Sequence, residues 1–199
     1  MSVAPAQRLA PAQRRQQLVE VAFELFGKRG YEDVALEDVA EAAGVKRGLI
    51  YHYFPAGKPD LFAGALAEGL TRGIGQVDVD PDRGIDEKLP RNVKMFLDLA
   101  ENNDPIYRIF RDARRIEHPS FTPVIEGIRE ALARDIAFNH LGTREPAPAV
   151  LVALEGWQAM MATMMDVWVD KGNVTRAELE ELITTLLPRI IETAAAVER

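Results

Sequence analysis

Apolar residues recur along the chain at helical spacing from one end to the other. Leu18, Val21, Ala22, Leu25 and Phe26 stand at i, i+3, i+4, i+7 and i+8, which predicts an amphipathic helix over 12–30, stopped by Gly27 to Gly30. Leu36, Val39, Ala40 and Ala43 repeat the stripe over a short second helix, with Gly44 as a left-handed terminator. A third short helix follows from Lys46 to about Phe54, with Val45, Ile50 and Phe54 toward the core and Lys46, Arg47, Leu49, Tyr51 and His52 on its other sides. Two short helices joined by a tight glycine-containing turn make a helix-turn-helix. "PAGKP" punctuates the chain, and a longer helix is expected from Pro59 to about Gln76.

Beyond the loop "VDVDPDRG", five further stretches read as helix, and no alternating run of strand length competes. The expected class is all-α. The stretch 147–169 is apolar on most sides, and the last helix carries Leu179, Leu182, Ile183, Leu186, Leu187, Ile190 and Ile191. Faces this wide need two partners, and a second copy of the chain can supply one.

Composition narrows the function. With 199 residues, 47% of them hydrophobic and 28% charged, the chain can bury one large or two small cores. It has no cysteine, which excludes disulfides, thiolate zinc sites and a cysteine nucleophile. The N-terminus lacks the apolar core of a signal peptide and no run of about 18 apolar residues exists, so the sequence reads as cytoplasmic.

The net charge of -7 lies wholly after residue 60, because cations and carboxylates balance before it. Between Gly44 and Pro59 stand Lys46, Arg47 and Lys58 with no carboxylate. Exposed charges are screened beyond about 8–10 Å at physiological salt, so a polyanion docking there feels a local positive surface. At the start of the third helix, Arg47 can pair with a guanine, Leu49 can touch a thymine methyl, and Tyr51, His52 and Tyr53 offer polar tips to phosphates. Gly48 costs its helix roughly 1 kcal/mol relative to alanine, but lets backbone approach a groove wall. The same residues also suit an ordinary helical domain with a solvated basic turn.

Other chemistry finds little support. Asp78, Asp80 and Asp82 fall at positions 1, 3 and 5 of an EF-hand loop, but Arg83 replaces the required glycine and Leu89 the bidentate glutamate, so no metal is expected. His118 and His140 have no second ligand at helical spacing, and no nucleophile-base order, P-loop or dinucleotide fingerprint can be assembled. No cofactor and no enzymatic activity are expected.

The run "RGYEDVALEDVAEAAGVKRGLIYHYFPAGKPDLF" resembles the DNA-binding domain of the TetR family of bacterial transcriptional regulators, over about fifty residues from Arg14 to about Phe62. The resemblance implies a helix-turn-helix domain over 12–58 and a helical ligand-binding and dimerisation domain over 59–199. It places DNA contacts on Lys46, Arg47, Gly48, Leu49, Tyr51, His52 and Tyr53, with Lys58 on a phosphate. It also implies a homodimer through the last two helices and a repressor released from a palindromic operator by a small apolar or amphipathic ligand. That ligand would be drawn among Met95, Phe96, Tyr107, Phe110, Trp157, Met161, Met164 and Met165, with Arg111, Arg114 and Arg115 as polar anchors or a solvated face. Three positions depart from the family pattern: Ala35 replaces a capping Ser or Thr, Lys46 replaces another, and "FPAGKPD" is one residue longer than the usual join. A DNA-bound protein that recruits partners and has no inducer is the competing reading.

Overall fold

The computed structural model describes residues 9–78, 80, 83–116 and 118–197, and among them nine helices and no strand. They are α1 (Pro11–Arg29), α2 (Leu36–Ala42), α3 (Arg47–Tyr53), α4 (Lys58–Ile74), α5 (Ile85–Glu101), α6 (Pro105–Arg115), α7 (Thr122–Leu141), α8 (Pro148–Lys171) and α9 (Arg176–Val197). The chain is all-α, as expected. No described helix is long and apolar enough to cross a membrane.

Boundaries follow local chemistry. Pro11, Pro59, Pro105, Pro123 and Pro148 stand in first turns, where the missing N–H leaves no intrahelical bond unmade. Asp104 caps α6 by accepting from the Ile106 N–H at 2.8 Å. Gly44 has φ +65°, the left-handed conformation that turns α2 toward α3.

The head of the molecule is built on α1. Leu18, Ala22 and Phe26 are buried as the stripe anticipates, but so are Val19 and Phe23, while Val21 and Leu25 are only half-buried. The face is broader and rotated because α1 packs against α4 and α6 as well as α2. Ile50 and Phe54 of the α3 segment are buried. Phe26, Tyr31, Phe62 and Phe121 form a chain of edge-on and tilted rings, with centroids 4.8–5.0 Å apart from Tyr31 and Phe26 through Phe62 to Phe121. This aromatic seam ties the head to the start of α7.

Gly27 is where α1 and α6 touch. A Cβ there would lie 2.9 Å from the Pro105 Cα and collide with the Pro105 side chain. Its absence lets the two helices meet closely. Around this contact the Tyr31 N–H donates to Asp112 Oδ2 at 2.8 Å, Arg108 donates to the Lys28 carbonyl, and Ser120 Oγ lies 3.1 Å from Asp60 Oδ1. In the second half, α8 packs on α7 and α9, and α5 packs on α6, α8 and α9.

Candidate functional site

The α2–α3 unit holds its basic residues outward. Lys46 is exposed and supplies the N-cap backbone of α3, with no side-chain cap. Arg47, Gly48, Tyr51 and His52 are exposed, and Leu49 and Tyr53 are half-buried. Arg47 does not hang free. Its guanidinium pairs with the Glu37 carboxylate, donates to Tyr51 Oη at 2.9 Å and sits 5.5 Å from the Tyr51 ring centroid. The Tyr51 hydroxyl, and then Glu37, raise its pKa further. The side chain that could read a base is thus held in place by one ring and one acid.

Lys58 opens α4. Its Nζ donates to the Glu32 carbonyl at 3.2 Å and lies 4.3 Å from the Tyr31 ring centroid. Gly57 makes the longer join possible: it has φ +73°, and a Cβ there would come within 3.0 Å of the Tyr51 ring and 3.3 Å of Leu36. Arg47, Tyr51 and Lys58 therefore line one open groove with Ala35 and Glu37. At Ala35 no side chain caps α2. Asp38 instead reaches back to accept from the Ala35 N–H at 2.8 Å, and this bond, ahead of the Arg29 ion pair at 2.9 Å, lowers its pKa.

The second half holds a partly open cavity of about 270 Å³. Of the eight residues expected around a ligand, Phe96, Tyr107, Phe110, Trp157, Met161 and Met165 line it. Met95 and Met164 are half-buried and are not among its walls. Of the three arginines only Arg114 reaches it, gripping Asp166 at 2.8 and 3.0 Å; Arg111 and Arg115 pair with Asp170. The Tyr107 hydroxyl donates to Asp166 at 2.8 Å, and burial, reinforced by that carboxylate, pushes its pKa up to about 12. One end of the cavity carries polar groups that the sequence did not suggest: Asp78, Lys88, Asn92, Asn139 and His140. Burial lowers the His140 pKa and favours its neutral form. His118 accepts from the Ser120 N–H at 3.1 Å, a turn contact.

Of the candidate calcium ligands, Asp82 lies outside the described residues. Asp78 accepts from Arg83 at 2.6 Å, so the arginine at the glycine position meets the acid directly. No group of acids or histidines among the described residues is arranged to hold a metal ion.

Residues 18–65 match the model of the bacterial regulatory proteins of the tetR family. The repressor AcnR of Corynebacterium glutamicum is 29% identical over 163 residues, 78% of this chain and 82% of that protein. The activator FasR of Mycolicibacterium smegmatis is 27% identical over 62% of this chain and 57% of its own. A tetR-family transcriptional regulator from Streptomyces coelicolor superposes with a TM-score of 0.73 at 27% identity, over 95% of this chain and 85% of that one. Over residues 18–65 the chain carries a TetR-family DNA-binding domain.

In that domain the α2–α3 unit is the helix-turn-helix. Gly48 can then be tested. A Cβ at Gly48 would meet nothing within 4 Å, so nothing inside the protein requires glycine there. Gly48→Ala is expected to stabilise the TetR head by up to about 1 kcal/mol through helix propensity, while weakening DNA binding because the added methyl meets the groove wall. Thermal melts and fluorescence anisotropy on one preparation check both signs. Rising stability with unchanged affinity removes clearance as the role of Gly48.

Proposed function

We propose that this regulator is a homodimeric, ligand-released repressor in which Arg47 reads a base, Lys46, Tyr51, His52 and Tyr53 meet the backbone, Leu49 touches an apolar base edge, and Lys58 grips a phosphate. The division of labour is a head over 12–58 and a ligand-binding and dimerisation unit over 59–199. The observation that carries the reading is the partly open cavity in the second half, joined to the head through α4, α6 and the Gly27 contact. It favours an inducer over the partner-recruiting alternative, for which no cavity is needed. The breadth of the match to AcnR, named a repressor, supports repression.

The apolar exposure on the last two helices supports the dimer. Val152 is 72% exposed, Leu182 45% and Val197 74%, and a two-fold pairing of α8 and α9 would bury these positions. Two α3 helices related by that axis would enter successive major grooves, so the operator is a palindrome with half-sites about one helical turn apart. Ligand acts through differential affinity: it must bind more tightly to the dimer whose heads are wrongly spaced for DNA. Sedimentation of the protein with and without the operator duplex tests the assembly. A monomer in both conditions would overturn it.

Glu37 is a brake on this reader. An exposed ion pair is worth about 0–1 kcal/mol, and Glu37 also places a negative charge in the groove that Arg47 and Lys58 line. Glu37→Gln is expected to tighten operator binding by up to about fivefold, more at low salt than at high salt. Anisotropy titrations at two salt concentrations measure it; weaker binding would show that Glu37 positions Arg47 instead of restraining it.

A further inference from the structure

Lys88 is the one charged side chain fully buried among the described residues, at 6% exposure, and it lines the cavity. Its Nζ has a single partner, Asn139 Oδ1 at 3.0 Å. Asn139 is fixed in that sense because its amide N–H donates to the Asp135 carbonyl at 2.9 Å. The two acids lining the cavity are already engaged, and the exposed Asp86 lies close enough to act on His140. Asp78 is paired with Arg83 at 2.6 Å and bonded to Asn92 through its backbone, and Asp135 is paired with Arg144 at 3.1 Å. None of them forms an ion pair with Lys88. His140, at the same end, is kept toward its neutral form by burial, and Arg129 adds a further cation to the wall.

The unmet hydrogen-bonding groups point the same way. Among the described residues the buried side-chain atoms without a partner are Trp157 Nε1, Arg114 Nε and Arg111 Nε, all donors, and Trp157 and Arg114 line the cavity. Among the described residues no buried side-chain acceptor is left unpaired. A buried ammonium bonded only to a neutral amide is costly unless an anion joins it, and an orphaned N–H is costly until an acceptor arrives. The rest of the lining, with Phe96, Phe110, Ile128, Leu132 and Met161, is apolar.

Resting on the reading of this cavity as the inducer site, we propose that its ligand is an amphiphile with a single carboxylate, seated with its head at Lys88 and its apolar body among the rings and methionines. The one fully buried cation of the lining matches one negative charge.

The test uses the full-length protein and three probes of one chain length: decanoate, decan-1-ol and decyltrimethylammonium, titrated by calorimetry. Decanoate is expected to bind most tightly, by roughly tenfold or more over the alcohol, the scale of a buried charged hydrogen bond. Lys88→Met removes the charge at similar length and is expected to abolish that preference while leaving decanol binding unchanged. Lys88→Gln, which also removes the charge but keeps a polar side chain, provides a second variant if Lys88→Met does not fold. It is expected to weaken decanoate more than decanol. Decanol or the cationic probe binding as tightly as decanoate to the unmodified protein would overturn the anion assignment and leave the inducer site standing. No binding by any of the three would overturn both.

Discussion

Gly27→Ala is expected to destabilise the protein by roughly 1–3 kcal/mol, the usual cost of inserting a group into a packed contact. In a chain of this size that lowers the melting temperature by about 2–12 °C. Helix propensity works in the opposite direction, since alanine is favoured over glycine by about 1 kcal/mol in a helix interior. The contact decides the sign: the new methyl meets Pro105, including its Cα at 2.9 Å, and backbone at the start of α6 cannot rotate away as a flexible side chain can. Gly48→Ala makes the same chemical change in open space and is expected to move stability the other way. Differential scanning calorimetry of the two variants side by side measures both. Equal stabilisation by the two would show that α1 and α6 separate without cost.

Arg47→Ala is expected to weaken specific DNA binding by roughly 1–3 kcal/mol and to relax one position in each half-site. Its guanidinium is already ordered by Tyr51, so it carries less rotamer entropy into the complex than a free arginine would, and it loses only an exposed ion pair on leaving Glu37. Lys58→Ala provides the contrast. A phosphate contact carries no base information, so its loss is expected to weaken all sequences alike and to reduce the salt slope by about one unit. Equal loss on every sequence for Arg47→Ala would remove it from base reading.

Most of the helical order was legible because apolar spacing, prolines in first turns and glycines at helix ends are local signals. The α2–α3 unit was legible for the same reason, and Leu36, Val39, Ala40 and Ala43 are all buried as their spacing anticipates. What the sequence concealed depends on residues distant along the chain. Gly27 reads as a helix stop, whereas α1 continues to Arg29 and the glycine serves a contact with Pro105. Lys88 reads as one more charge in the first turns of an amphipathic helix. It is buried because α7 brings Asn139 over it, and no periodicity within α5 signals that. Ala35 leaves α2 without its side-chain cap, and Asp38 supplies the reciprocal bond from the third helical residue, a pattern readable in "ALED". Met95 and Met164 show the limit of composition: a methionine on the right helix can still point to another neighbour.

Regulation of the proposed kind requires α3 to be a sequence reader presented twice by a dimer. Selection of random duplex DNA by the purified protein, with the bound pool sequenced and affinities compared at two salt concentrations, tests that most directly. The expected result is a palindromic consensus whose half-sites are about one helical turn apart, lost at one position per half-site in Arg47→Ala. A folded protein that enriches no sequence, or binds every duplex with the same salt-dependent affinity, would contradict it.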